Sequence, residues 1–263
     1  MSLTEVCRRL EMGKGAGYRL LSGLEKRGYV EQDAASERYR LTLHATAFGL
    51  RYLSELRLTE VCQPVLDRLA ASTGEMVRMC VANGPNLTWV AKSQGALTGL
   101  RYDPDMGQSV VLHATAVGRV WLATMDDEKA ASIVRQRGFE VPARFCRRFI
   151  TDEEGLLAEL HATRDRGFGL AREEGEAGMA AIACAIFDAP GPNALSVGAV
   201  SVAGPIARLT ESRVSEISAS VREAAAELTG LWPIRRYIAG QRSQTPAAPS
   251  RVRAQGNPAA EGA

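Results

Sequence analysis

Residues 2–41 read SLTEVCRRLEMGKGAGYRLLSGLEKRGYVEQDAASERYRL, and this stretch predicts the fold of the first part of the chain. Ser2 followed three residues later by Glu5 is the pattern of a capping box, so a short helix should follow Ser2. A second helix is expected over residues 14–26, because its leucines recur on one face. We expect Gly13 to supply a left-handed conformation in the turn between the two helices.

Two short β-prone runs come after the second helix. Residues 29–31 and 38–41 flank the turn-forming segment 33–37, which is typical of a hairpin. Helix, turn, helix and hairpin in this order is the layout of a winged helix-turn-helix, whose second helix reads DNA. The residues expected to contact double-stranded DNA are Lys14, Tyr18, Arg19, Lys26, Arg38 and Arg40.

The charge of this segment is modest. Residues 1–41 contain eight Lys or Arg and six Asp or Glu, a net charge of +2, and the whole chain also carries +2. Affinity for DNA would therefore have to come from the placement of single cations and from dimerisation. On charge alone these side chains would be ordinary solvated residues, and it is the ordered layout of the elements that favours a DNA reader.

Two features weaken the interpretation as a DNA reader. Gly15 and Gly17 lie in the first turn of the second helix, where each costs roughly 0.5–1 kcal/mol relative to alanine. A helix that usually braces such a motif is also missing, since only Met1 precedes Ser2. The alternative hypothesis is a ligand-binding or oligomerisation protein with an incomplete reader that does not bind DNA.

Composition excludes several classes of protein. The chain has 263 residues, of which 46% are hydrophobic and 24% charged, as in globular domains. No apolar run reaches the roughly 18 residues needed to span a bilayer, and the mixed N-terminus is not a signal peptide, so we expect a cytoplasmic protein. Five scattered cysteines without Cys-x-x-Cys spacing indicate free thiols, and three histidines without an i,i+4 partner indicate no metal site. No cofactor is expected.

The rest of the chain predicts an α+β fold. A linker helix is expected over residues 43–56 and an amphipathic helix over 58–72, kinked or begun at Pro64. The later helices are expected at residues 113–124, 126–136, 152–166 and 210–231. The strands are expected at residues 76–81, 87–93, 97–102, 168–172, 180–187 and 195–202. Hairpins mixed with helical crossovers are typical of a mostly antiparallel sheet.

These elements divide the chain into four regions. Residues 1–42 would form the winged helix-turn-helix, 43–57 the linker helix, and 58–238 a domain for effector binding and oligomerisation. Residues 239–263 are rich in Gln, Ser, Pro, Ala and Gly and should be a disordered tail.

Two segments of the third region could hold a small ligand. Residues 112–119 (LHATAVGR) begin a helix, whose unpaired backbone N–H groups can hold a carboxylate, although an ordinary capped helix has the same pattern. The acidic turn 173–176 precedes small residues at 178–183. Small side chains on a strand leave space above a sheet, either for a pocket or for a packed helix.

An enzymatic function is not expected. Cys184 and His113, oriented by Glu173, have the residue types of a nucleophile and its base. Cys184, however, lies in the apolar run 181–186, where a buried small hydrophobe is expected. The glycine-rich run 13–17 follows no strand and has the wrong spacing for a phosphate loop.

Taken together, these segments resemble the IclR family of bacterial transcriptional regulators over about residues 2–235. The resemblance is carried by residues 2–6, 18–30, 38–41, 112–118, 173–178 and 202–210. It implies a winged helix-turn-helix joined by a linker helix to a GAF-like effector domain with a mostly antiparallel sheet. It also implies homodimers or homotetramers on palindromic operators of catabolic or metabolic operons, with small organic acids as effectors.

The resemblance also implies a place for the effector, between the helix that starts at His-Ala-Thr and the strand after the acidic pair. The residues of this chain at those places are His113, Ala114, Thr115, Ala116, Glu173, Glu174 and Ala181. The chain departs from the family pattern at Gly15-Ala16-Gly17 and at Ala181, where several members carry Cys. It departs again at Ala171-Arg172, where acidic residues are common; an arginine there would favour an acidic effector.

Overall fold

The computed structural model describes residues 1–55, 57–104, 106–142, 145–146 and 149–243. Its helices are α1 (Leu3–Arg9), α2 (Lys14–Lys26), α3 (Leu43–Glu55), α4 (Leu58–Thr73), α5 (Ala116–Leu122), α6 (Asp127–Arg137), α7 (Glu153–Arg166) and α8 (Glu211–Ser243). Its strands are β1 (Val30–Gln32), β2 (Tyr39–Leu41), β3 (Met76–Asn83), β4 (Asn86–Gln94), β5 (Gly169–Arg172), β6 (Met179–Phe187) and β7 (Ser196–Pro205). None of the described helices is both long and apolar enough to cross a membrane.

The first two helices and the hairpin form the predicted winged helix-turn-helix. The capping box is confirmed, because the Glu5 amide donates to Ser2 Oγ at 3.2 Å and the Ser2 amide donates to Glu5 Oε2 at 2.7 Å. Strands β1 and β2 pair antiparallel. Leu21, Val30 and Tyr39 make a small buried core between α2 and the hairpin.

The turn between α1 and α2 differs from the expectation at Gly13. Gly13 has an extended backbone (φ −68°) and is the N-cap of α2, whereas Glu11 takes the left-handed conformation at φ +50°. Glycine is among the residues favoured at the N-cap, although here it offers no side chain to accept from the first amides. The turn therefore forms with a non-glycine residue in the strained position.

Gly17, expected to soften α2, lies where the two helices cross. It is buried, and a Cβ added there would stand 2.4 Å from Cys7 Sγ and 3.3 Å from Leu3 Cδ1. The close approach of α1 to α2 therefore requires glycine at this position. A Cβ added to Gly15, by contrast, would meet only Arg19 Nη1, at an ordinary contact distance of 4.0 Å.

The second part of the chain is built on a five-stranded sheet in the order β4-β3-β7-β6-β5, with every neighbouring pair antiparallel. Helices α4 and α8 cover one face, where Val77 and Ile182 are in the core. Helices α5, α6 and α7 cover the other, where Cys80 and Ala183 are buried. The predicted α+β class is thus confirmed.

Several predicted boundaries were wrong. Residues 97–102 form a loop rather than a strand, with Gly99 at φ +75° and Leu97 exposed. Helix α4 begins at Leu58 and contains Pro64, so the helix does not begin at the proline. Helix α8 extends to Ser243, so residues 239–243 of the predicted disordered tail are helical; residues 244–263 lie outside the described part.

Candidate functional site

Helix α2 presents a polar face beside its buried one. Lys14, Tyr18, Arg19 and Lys26 are all exposed, and Tyr18 has 58% of its surface accessible. Within the described residues, these four side chains make no hydrogen bond or ion pair. Side chains at successive turns of one helix face can reach adjacent base edges and phosphates in a major groove.

The two predicted DNA-contacting residues of the hairpin are already paired with carboxylates. Arg38 Nη2 lies 3.3 Å from Glu5 Oε2, and Arg40 Nε lies 2.7 Å from Glu31 Oε1. Both arginines are exposed, so these pairs contribute little to stability and would open readily towards a phosphate. The uncompensated positive charge of the predicted DNA face is therefore on α2.

Two adjoining cavities of about 60 and 220 Å³ lie between α5, the loop before it and the sheet. They share walls made by Arg78, Trp89, Tyr102 and Thr115. The smaller cavity, towards the sheet, is lined by small side chains that include Ala116, Ala171, Ala180 and Ala181. Of the predicted effector-binding residues, the structure places five in this wall: Ala114, Thr115, Ala116, Glu174 and Ala181.

The start of α5 is an ordinary capped helix packed tightly on the sheet. Thr115 Oγ1 accepts from the Gly118 amide at 3.2 Å and donates to the Val111 carbonyl at 2.8 Å. Strand β5 approaches so closely that a Cβ on Gly169 would stand 2.2 Å from the Ala116 carbonyl oxygen. The small residues of β5 and β6 therefore do two things. They let α5 pack closely on the sheet, and they leave a cavity beside the first turn of that helix.

The remaining two predicted effector-binding residues lie outside the two cavities. His113 is 3% exposed and packs against Phe139 and Phe149, with ring centroids 5.2 and 6.0 Å away. Burial, followed by the charge of Arg119, lowers the pKa of its imidazole. Glu173 has φ +54° and its Oε1 accepts from the Gly178 amide at 3.3 Å. Neither residue lines the two cavities.

Glu174 is held by a buried arginine. Arg119 Nη1 donates to Glu174 Oε1 at 2.9 Å, and its Nη2 to the second carboxylate oxygen. The same guanidinium donates to the backbone carbonyls of His113 and Leu170, both at 2.9 Å. Arg119 therefore ties the start of α5, strand β5 and the acidic turn together, and losing one member of such a buried pair costs about 3–5 kcal/mol.

The cation of the cavity is Arg78, which the sequence interpretation missed. Its guanidinium carbon lies 3.8 Å from the Trp89 ring centroid and 5.3 Å from that of Tyr102. Its Nε is buried without a hydrogen-bond acceptor among the described residues. Burial lowers the pKa of the guanidinium, and Tyr102, Cys80 and Glu176 counteract that effect. The sequence does contain a signal for this role, since Arg78 is the one charged residue of strand β3.

Arg172, expected near the ligand, lies elsewhere. Its Nη1 donates to the Leu209 carbonyl at 3.2 Å, and it lines neither cavity. Successive side chains of a strand point to opposite faces, so Ala171 reaches the cavity and Arg172 does not. The positive charge that favours an acid comes from β3 and not from β5.

Nothing in the described residues assembles a catalytic or metal centre. Cys184 belongs to the core under α4 and α8, and burial raises the pKa of its thiol to about 11. His113 packs with Phe139 towards α5 and α6, so the two do not form a nucleophile and base. No group of three or more potential metal ligands occurs in the described part of the chain.

A winged helix-turn-helix followed by a domain with a cavity for a small molecule defines an effector-controlled, DNA-binding regulator. Residues 50–229 match the family described as bacterial transcriptional regulator IclR C-terminal, and residues 1–34 match the IclR helix-turn-helix domain. The chain belongs to the IclR family. It is a transcriptional regulator and not an enzyme, with a DNA-binding domain and an effector-binding domain.

Relatives match over most of the chain. The HTH-type transcriptional regulator BhcR of Paracoccus denitrificans is 32% identical over 244 residues, covering 92% of this chain and 84% of BhcR. The crystal structure of an IclR regulator from a Silicibacter species has a TM-score of 0.73 at 24% identity, covering 91% and 89% of the two chains. An IclR homologue from Microbacterium hydrocarbonoxydans, complexed with 4-hydroxybenzoate, has a TM-score of 0.62 at 20% identity, covering 87% and 90%. Both structures share the fold described above.

Proposed function

We propose that a small organic acid, bound in the two adjoining cavities, controls the binding of this regulator to operator DNA. The observation that carries the proposal is Arg78, a partly buried cation that borders both cavities and has an unpaired Nε. A carboxylate placed beside a guanidinium, in its plane, accepts charge-assisted hydrogen bonds from the N–H groups, and in a low-dielectric site these bonds are stronger than in water. The apolar body of the acid would extend towards Ala116 and Ala181.

The charges around the cavities favour an acid with one carboxylate. Glu174 and Glu176 also line the smaller cavity, and a second carboxylate of a ligand would face them across the alanines. The two cavities together are smaller than the roughly 300 Å³ of a common drug-sized site, so a compact acid fits best. The Microbacterium homologue complexed with 4-hydroxybenzoate supports a compact monocarboxylate.

For DNA, we propose that α2 enters the major groove and that Lys14, Tyr18, Arg19 and Lys26 make the main contacts. Arg38 and Arg40 would contact phosphates from the hairpin after leaving their carboxylate partners. The regulator would act in the cytoplasm as a homodimer or homotetramer, because two readers on a palindromic site compensate for the modest charge of each one. A catabolic or metabolic operon is the expected target. The proposed divisions after residues 42 and 57 fit the bounds of β2, α3 and α4.

The experiment is a DNA-binding titration. DNA bound by the full chain is first selected from genomic fragments, and binding is then measured by gel shift at fixed salt. Arg19→Ala should weaken binding by more than about tenfold, or about 1.4 kcal/mol. Arg68→Ala, which removes an exposed arginine of α4 that pairs with Glu227, should leave binding unchanged. Equal binding by Arg19→Ala and the unmodified chain would contradict the role of α2. If the unmodified chain binds none of the genomic fragments, the alternative of a ligand-binding protein without a working DNA reader is favoured.

A further inference from the structure

A third cavity, of about 470 Å³, lies at the opposite end of strand β6. Strand β5 pairs only with residues 180–183 of β6, so residues 184–187 continue beyond the end of β5. The space left there is enclosed by the ends of α5 and α7 and by the middle of α8. This cavity shares no lining residue with the effector cavities around Arg78.

We propose that this third cavity is a second ligand site, which binds an aliphatic monocarboxylate of medium chain length. Its volume comes from small residues on every wall: Ala123, Gly167, Ala185 and Ala225. Val120 and Phe187 add larger apolar surface. An apolar chain that fills such a space gains roughly 25 cal/mol for each Å² of apolar surface removed from water.

The polar groups of the inner wall have partners within the protein. Thr229 Oγ1 donates to the Ala225 carbonyl at 2.8 Å and accepts from the Phe187 amide at 3.1 Å. Thr124 Oγ1 donates to the Trp121 carbonyl at 2.7 Å. These hydroxyls therefore do not require a polar ligand, and the interior suits a hydrocarbon chain.

The charge at the mouth selects the head group. Among the residues that the structure describes, the lining contains two arginines, Arg164 and Arg222, and no acidic residue. Arg164 is occupied, since it donates to the carbonyls of Ala123 and Met125 at 2.9 Å and to Asp127 Oδ1 at 2.7 Å.

Arg222 differs from Arg164 in having no hydrogen bond or ion pair with any described residue. Its guanidinium reaches the turn after α7, where a Cβ added to Gly167 would lie 3.4 Å from Nη2. An exposed, uncompensated cation at the mouth of an apolar cavity complements a ligand with an anionic head and an apolar tail. Carboxylate and alkyl chain would thus be bound by different parts of the same site.

Calorimetric titration of the full chain with decanoate, below its micelle concentration, tests this assignment. We expect saturable binding of one decanoate per chain, which Arg222→Gln weakens at least fivefold. Arg222 is exposed, so the variant should fold, and an unchanged thermal unfolding curve checks this. Ala226→Phe, at an exposed position of the same wall, should weaken binding by obstructing the mouth.

Matched controls separate this site from the effector cavities and from subunit contacts. Arg68→Gln and Arg78→Gln should leave decanoate binding unchanged, and acetate, which lacks the tail, should not bind at the site. Absence of saturable binding, equal affinity for Arg222→Gln and the unmodified chain, or loss of binding with Arg78→Gln alone would each overturn the proposal. A combined result would also overturn it: no decanoate binding by the unmodified chain, and a changed number of subunits in Ala226→Phe, measured by light scattering. The cavity would then be a contact between copies of the chain.

Discussion

His113 precedes α5 with its imidazole enclosed by aromatic rings, and its protonation is linked to the stability of the fold. Burial and the nearby charge of Arg119 lower its pKa, so the folded protein holds the neutral form. The unfolded chain, with an ordinary pKa of about 6.5, then binds more protons as the pH falls. Stability from this group is fully present above about pH 6.5 and is lost as the pH drops from there towards the folded pKa.

The prediction at this scale is a pH-dependent free energy of unfolding. Between pH 7 and pH 5 the unmodified chain should lose stability, whereas His113→Phe, which keeps an aromatic ring between Phe139 and Phe149, should show a flatter dependence. Urea unfolding at pH 7, 6 and 5 measures this. His44→Gln, in the exposed part of α3, serves as the control and should keep the slope of the unmodified chain. The same slope in His113→Phe would mean that another group titrates.

At the scale of elements, the crossing of α1 and α2 illustrates what local sequence reasoning can and cannot predict. The bounds of α2 follow from its apolar spacing and from Gly28, and the capping box correctly marks the start of α1. A propensity scale treats Gly17 only as a local cost, because it describes a residue within its own helix. Its contact with Cys7 joins two helices, and neither periodicity nor propensity carries that information.

Two glycine substitutions in α2 should have opposite effects. Gly17→Ala would bring a Cβ against Cys7 and Leu3 and should destabilise the first domain by about 1–3 kcal/mol, the usual cost of overpacking. Gly15→Ala would meet only Arg19 Nη1, at an unstrained 4.0 Å, and should stabilise the domain by about 0.5–1 kcal/mol. Thermal unfolding of the two variants and the unmodified chain measures the difference. Equal stability of the two variants would show that α1 and α2 do not approach as closely as described.

At the scale of the whole molecule, the two cavities around Arg78 depend on strand pairings between distant parts of the chain. Arg78 on β3 pairs with Ser201 on β7, and Ala181 on β6 pairs with Ala203, the next-but-one residue along β7. The fold class and five wall residues could be predicted, because His-Ala-Thr and the acidic pair are local patterns. Arg78 could not be assigned to the cavity, because its position there follows from a pairing across more than a hundred residues.

The topology also explains why one domain can contain two separate cavities. Helix α5 is seven residues long; Ala116 and Val117 at its start line the smaller cavity near Arg78, while Val120 near its end lines the cavity beside Arg222. Strand β6 likewise lines both cavities, with different residues in each. The cavities around Arg78 are distinguished by a partly buried cation close to two aromatic rings, and the ligand that we propose for them should therefore depend on Arg78.

The most direct test of the proposed effector site at Arg78 is a thermal-shift screen of the full chain against compact aliphatic and aromatic monocarboxylates. The screen is then repeated with Arg78→Gln. Ligand at 100 times its Kd stabilises a folded protein by about 2.7 kcal/mol, which raises Tm by several degrees. We predict that at least one acid produces such a shift in the unmodified chain and in Arg68→Gln, and that Arg78→Gln loses it. A screen without any stabilising acid, or an equal shift in Arg78→Gln, would contradict the proposed effector site.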